Sequence, residues 1–198
     1  SSTTDLTALV LMAKIEGVWQ VHPVFWLPED GIIDRAREDR VPYDLWLQQG
    51  YMSTTPGKVI ELAYIAKHLR KVFDELNIAC IAFDRWGWKH LRMWLEQEGF
   101  NDAQLDKFEP FGQGYVSMSP ALRECEAVLL SSKMRHGNHP VLTNCAVNAV
   151  VQSDPAGNRK LAKDKSSGRI DGMVALAMAV GVTDNGPEPY VTGRLLTV

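Results

Sequence analysis

Ile78-Ala79-Cys80-Ile81-Ala82-Phe83-Asp84 is the stretch on which the fold turns: an unbroken apolar run that stops on a carboxylate. It follows residues 59–77, where Ile65, Leu69, Val72, Phe73 and Leu76 recur at the spacing of an amphipathic helix. A short apolar run after a helix reads as a buried central strand. The helix before it is the crossover that parallel strands require. Asp84 then closes that strand at its carboxyl end, where ligand sites sit in open α/β sheets.

Toward the N-terminus, residues 6–27 are apolar or alternating on either side of Gly17 and read as a β-hairpin. Pro28-Glu29-Asp30-Gly31 breaks the pattern, residues 31–49 suggest two short helices around Pro42, and residues 51–58 form a turn-rich connector. Toward the C-terminus, residues 89–99 are helical, with Leu91, Trp94 and Leu95 on one face. Phe108 and Phe111 lie in a strand or a loop. Ser119-Pro120 marks a helix start, with serine as N-cap and proline at the first helical position, and that helix runs to about Lys133. Residues 136–140 read as a loop, and residues 141–151 fit a helix or a strand equally. Residues 153–167 are polar and basic and read as a loop. Residues 170–180 are apolar on every side, the pattern of a helix buried within the core. The sum is a mixed α/β layered fold.

At 198 residues the chain suits a single domain with a sizeable core. Its formal charge of −3 excludes a uniformly basic nucleic-acid coat but leaves room for a local basic patch. Cys80, Cys125 and Cys145 are too widely spaced for a metal-ligand pair or a disulfide framework, which points to a reducing cytoplasm. No apolar run approaches the ~20 residues that span a bilayer, and no signal peptide is visible. The start, Ser1-Ser2-Thr3-Thr4-Asp5, lacks methionine and is read as the beginning of a piece excised from something longer. Residues from Thr183 to Pro187 look like a linker.

Two aspartates stand out. Asp84 ends an apolar strand and Asp171 opens the all-apolar helix. Each has a plain structural reading, as a turn residue or a first-turn helix acid. Each also suits a hard divalent cation, because an ionised carboxylate near a core needs a partner and oxygen ligands suit magnesium-type sites. Arg159, Lys160, Lys163, Lys165 and Arg169 precede Asp171, while Arg85, Lys89 and Arg92 follow Asp84. A charge run is ordinarily a solvated loop. Beside two candidate ligands it also fits a phosphodiester substrate. His22, His90, His136 and His139 form no HExxH and favour no zinc site. No GxxxxGK[ST] or GxGxxG occurs, and Trp86 and Trp88 read as packing residues.

Phe83-Asp84-Arg85-Trp86-Gly87 and Gly168-Arg169-Ile170-Asp171-Gly172-Met173-Val174-Ala175-Leu176 carry a family resemblance. So do Ser2-Thr3-Thr4-Asp5-Leu6-Thr7-Ala8, Val41-Pro42-Tyr43-Asp44-Leu45-Trp46, Gln113-Gly114-Tyr115, Met118-Ser119-Pro120-Ala121-Leu122, His139-Pro140-Val141-Leu142, Asn148 and Asp154-Pro155-Ala156-Gly157-Asn158. In this order they resemble the C-terminal nuclease domain of large terminase subunits of tailed phages and prophages, of the HK97-like type. The resemblance implies an α/β, RNase H-like (resolvase-type) fold, in which a mixed central sheet flanked by helices carries three acids that bind two Mg²⁺ or Mn²⁺ ions. Asp84 matches the acid of the central strand and Asp171 the acid of the last helix. The first acid of the family lies on a strand just before the Ser-Ser-Thr-Thr-Asp segment. That strand is therefore expected to be truncated here, with Asp5 as the nearby carboxylate.

The resemblance further implies a metal-dependent endodeoxyribonuclease that cuts concatemeric viral DNA in the cytoplasm of the bacterial host. Its partners would be double-stranded DNA, an ATPase domain of the same full-length chain, a portal protein and a small terminase subunit, with no membrane. Lys165 and Arg169, and more loosely Arg159, Lys160, Lys163 and Arg85, would hold DNA phosphates. Residues 1–183 would form the nuclease domain and residues 184–198 a tail or linker. The alternatives are a non-catalytic RNase H-like docking domain and a resolvase-like nuclease acting on branched DNA.

Overall fold

The computed structural model describes residues 6–85 and 87–183. Asp5, Trp86 and the expected tail at 184–198 lie outside the described residues. The chain opens with β1 (Thr7–Ile15) and β2 (Val18–Pro28), then α1 (Ile32–Asp39), α2 (Tyr43–Gln48) and β3 (Ser53–Thr55). It continues with α3 (Leu62–Glu75), β4 (Ile81–Asp84), α4 (Trp88–Gln97), α5 (Asp102–Leu105) and β5 (Phe108–Phe111). The last elements are α6 (Tyr115–Leu130), β6 (Met134–Arg135), α7 (Pro140–Asn148), β7 (Val151–Ser153), β8 (Arg159–Leu161) and α8 (Asp171–Gly181).

β1 and β2 form the expected hairpin, in register from Thr7 opposite Trp26 to Ile15 opposite Val18. Glu16 and Gly17 turn it, both at positive φ (50° and 79°), as a tight turn matched to strand twist requires. β2 also pairs in parallel with β3 at its end and with β6 near its start, which makes a four-stranded sheet. β4 pairs in parallel with β5, and β7 with β8 as an antiparallel hairpin.

Side chains of successive strand residues point to opposite faces and sort into two layers. Val10, Val21 and Phe25 pack with Val141, Leu142 and Leu176 of α7 and α8. Cys80 and Ala82 join Ile170, Val174 and Ala177 on that same α8 side. On the opposite face, Leu9, Val24 and Trp26 meet Ile81, Phe83 and Phe108 under Ile65, Leu69 and Leu95 of α3 and α4. β1 and β4 therefore share both covering layers. Among the described residues, however, no ladder joins them.

Several sequence expectations need correction. The apolar run at 78–84 is strand only over Ile81–Asp84, and that strand is half-buried and lies in a two-stranded sheet, because pairing with β5 covers just those four residues. Ser119 is not an N-cap. α6 starts four residues earlier, where the Met118 N–H bonds the Gly114 carbonyl, and Pro120 sits inside the helix. As the sixth residue of α6, the proline has no N–H to donate to the Val116 carbonyl four residues back. Residues 141–151 divide into helix α7 and the start of β7. The connector at 51–58 contains β3, and the basic loop at 153–167 contains β8, so Arg159 and Lys160 lie on a strand.

Candidate functional site

Asp84 is the last residue of β4. Because β5 runs parallel beside it, with Asp84 opposite Phe111, both strands finish at one edge of the sheet. The segment leaving β5 is Gly112-Gln113-Gly114, and Gln113 Nε2 donates to Asp84 Oδ2 at 2.7 Å. Asp84, Arg85, Gly112, Gln113 and Gly114 line a cavity of about 240 Å³, open to solvent on one side. Arg85 is exposed there.

Asp171 is the first residue of α8. Its side chain is 12% exposed, and Lys163 Nζ donates to its Oδ1 at 2.5 Å. The helix N-terminus also favours a carboxylate. The next residue has to be glycine for lack of space: a Cβ at Gly172 would lie 2.9 Å from the Phe25 ring and 3.1 Å from Leu142 Cδ1. At the other end of the helix, the Cys80 thiol, just before β4, faces the Val182 carbonyl, just after α8, at 3.9 Å. The end of α8 away from Asp171 thus meets the end of β4 away from Asp84.

The basic residues are less available than a solvated run would be. Arg159 Nη2 pairs with Glu126 Oε2 of α6 at 2.8 Å. The Lys160 ammonium lies 5.0 Å from the centre of the Tyr115 ring. Arg169 Nε donates to Asp39 Oδ2 at 2.8 Å, and that same oxygen accepts from the Tyr43 hydroxyl at 2.8 Å. Tyr43 is buried at 1% exposure; burial first, then the hydrogen bond to Asp39, pushes its phenol well above the usual tyrosine range. Lys165 is exposed. The loop that carries it is pinned by Ser166 Oγ donating to the Ala162 carbonyl at 2.8 Å and Ser167 Oγ donating to Asn148 Oδ1 at 3.1 Å.

Other reactive groups belong to the core. Burial pushes the Cys125 and Cys145 thiols up to about 11, so neither is a thiolate nucleophile. His139 packs between the rings of Phe25 and Tyr51, and His68 sits edge-on to Trp26. Trp88 stacks on Phe83 at 4.3 Å, as a packing residue would. Among the described residues, no three His, Cys, Asp or Glu side chains come together as a metal-binding group. Sequence reading missed the partners: Gln113 on Asp84, Asp39 on Arg169 and Glu126 on Arg159. Gln113 lies between Gly112 and Gly114, a turn-type pattern that is its one local signal.

The terminase large subunit endonuclease-domain family model matches residues 1–186. The large terminase subunit of Enterobacteria phage HK97 is 42% identical over 194 residues, which are 95% of this chain and 38% of that protein. Protein YmfN of Escherichia coli K12 is 28% identical over 171 residues, 82% of this chain and 36% of that protein. The crystal structure of the HK97 large terminase superposes with a TM-score of 0.86 over 92% of this chain and 38% of that one, at 42% identity. The chain thus spans well under half the length of the relatives it matches.

Proposed function

Because this chain belongs to the terminase large subunit endonuclease-domain family, we propose that it is a divalent-metal-dependent DNA endonuclease with an RNase H-like fold that cuts concatemeric viral DNA during packaging. The observation that carries the reading is the end-to-end relation of β4 and α8. Their far ends meet at Cys80 and Val182, which supports a reading in which Asp84 and Asp171 serve one site.

The donors suit the metal. Both are carboxylate oxygens, the set a hard cation prefers, and Asp171 is the less exposed partner of its ion pair with Lys163. Two Mg²⁺ or Mn²⁺ ions bound there would supply an activated water and charge neutralisation at the leaving 3′ oxygen. Gln113 keeps the Asp84 carboxylate in one orientation. Arg85 and Lys165, both exposed, hold backbone phosphates and carry no base specificity. A third acid is needed to complete the set. Among the described residues no ladder joins β1 and β4, and the resemblance puts the first acid of the family on a strand next to the Ser-Ser-Thr-Thr-Asp segment. Asp5 is the other candidate. In the whole protein the domain would work with an ATPase domain, a portal protein and a small terminase subunit in the cytoplasm of the host. Among the described residues no helix is long and apolar enough to cross a membrane.

The test is nicking of supercoiled plasmid with Mn²⁺ or Mg²⁺ by the full-length subunit. Asp84→Asn and Asp171→Asn should each abolish cleavage and leave the circular dichroism spectrum intact. Full activity in either variant overturns the assignment.

A further inference from the structure

The two candidate ligands are held in chemically different ways. Asp84 accepts from a neutral amide, and Asp171 from an ammonium. A neutral donor on one carboxylate oxygen is compatible with a cation on the other. A positive charge already on the Asp171 carboxylate competes with one, because like charges in a partly buried site repel strongly.

Lys163 is set apart from its basic neighbours. Arg159, Lys160 and Arg169 contact Glu126, the Tyr115 ring and Asp39, none of which is a candidate metal ligand. Lys163 is paired with one, Asp171. Its backbone is firmly held: the preceding Ala162 is 1% exposed, its N–H bonds the Val150 carbonyl at 2.9 Å, and its carbonyl accepts from Ser166 Oγ. The β7–β8 hairpin therefore delivers the lysine stem to the start of α8. The side chain itself is 38% exposed, so a flexible four-carbon stem has a path into solvent without any backbone movement.

We propose that Lys163 is the exchangeable counter-ion of Asp171: its ammonium neutralises the carboxylate in the metal-free protein, and a divalent cation loads this carboxylate by displacing it. The inference rests on the metal-binding reading above. Lys163 is then a residue that tunes metal loading, and its ammonium becomes available to a substrate phosphate only once the metal is bound.

The experiment compares full-length wild type with Lys163→Gln, Lys163→Arg and Asp171→Asn, all stripped of metal, by Mn²⁺ calorimetry and thermal unfolding. The binding event of interest is the one that Asp171→Asn removes. Lys163→Gln should bind this ion roughly five- to tenfold more tightly, because the competing state is gone, and should unfold at a lower temperature when metal-free. Lys163→Arg should bind it more weakly than wild type, since a guanidinium fork grips a carboxylate through two bonds. Equal or weaker Mn²⁺ binding by Lys163→Gln overturns the proposal while leaving the metal site standing. Absence of any Asp171-dependent Mn²⁺ binding in both wild type and Lys163→Gln overturns the metal reading itself, and this proposal with it.

Discussion

Gln113 and Asp84, twenty-nine positions apart, meet at 2.7 Å because β4 and β5 run parallel and end together. The amide donates to one carboxylate oxygen and so fixes the plane of the other. Groups that orient metal ligands typically matter to activity by factors of 10–100. Gln113→Ala is therefore expected to slow Mn²⁺-dependent nicking by about 10–100-fold, with little change in melting temperature. Single-turnover cleavage at varied Mn²⁺ checks this, and an unchanged rate would remove Gln113 from the site.

Asp39 joins α1 to the segment before α8 by accepting from both Tyr43 and Arg169. Tyr43→Phe should cost about 0.5–1.5 kcal/mol, one ordinary hydrogen bond. Arg169→Ala should cost about 1.5–3 kcal/mol, as a charged bond between mostly buried partners. The double variant should depart from additivity, since both donors share one oxygen. Urea unfolding measures all three. A loss of DNA affinity in Arg169→Ala with no loss of stability would contradict this structural role.

Gly172→Ala pushes a methyl group into the Phe25 ring next to Asp171. Overpacking of this kind costs about 1–3 kcal/mol. The expected signature is rescue: Gly172→Ala combined with Phe25→Leu should be more stable than the sum of the single effects indicates. Strict additivity in thermal unfolding would show that the ring is not the obstacle.

Burial holds the imidazoles of His68 and His139 below the ordinary histidine value of 6.5; Lys71 and His22 add to the effect at His68, and His22 at His139. Unfolded chains take up these protons near pH 6.5 while the folded protein still excludes them, so ν is larger in the unfolded state and stability rises with pH. The contribution is complete above about pH 6.5 and declines as pH falls toward the depressed folded-state values. Melting temperature measured against pH should drop on the acid side, and His139→Gln should flatten that slope.

Much of the architecture was legible because it is local. The period of 59–77, the apolar runs at 78–84 and 170–180, and the turn at Gly17 each record burial geometry within one element. That was enough to put Asp84 at a strand end and Asp171 at a helix start. Local signals failed where a long-range partner decides. β3, β6 and β8 are two or three residues long, too short to carry a period, and exist only through the strands they bond. The Ser119-Pro120 signal was overridden by packing that buries Ser119 inside α6.

By itself, then, the sequence determined the N-terminal hairpin, the helices at 59–77 and 170–180 and the strand ending on Asp84, since hydrophobic burial imposes a period that can be read along those segments. Only the tertiary structure decided what those carboxylates and cations touch. Arg169 reaches Asp39 across 130 positions, and Lys163 turns back onto Asp171 rather than out to solvent. Ion pairs of this kind have no period, because their partners are chosen by where packed elements bring them together.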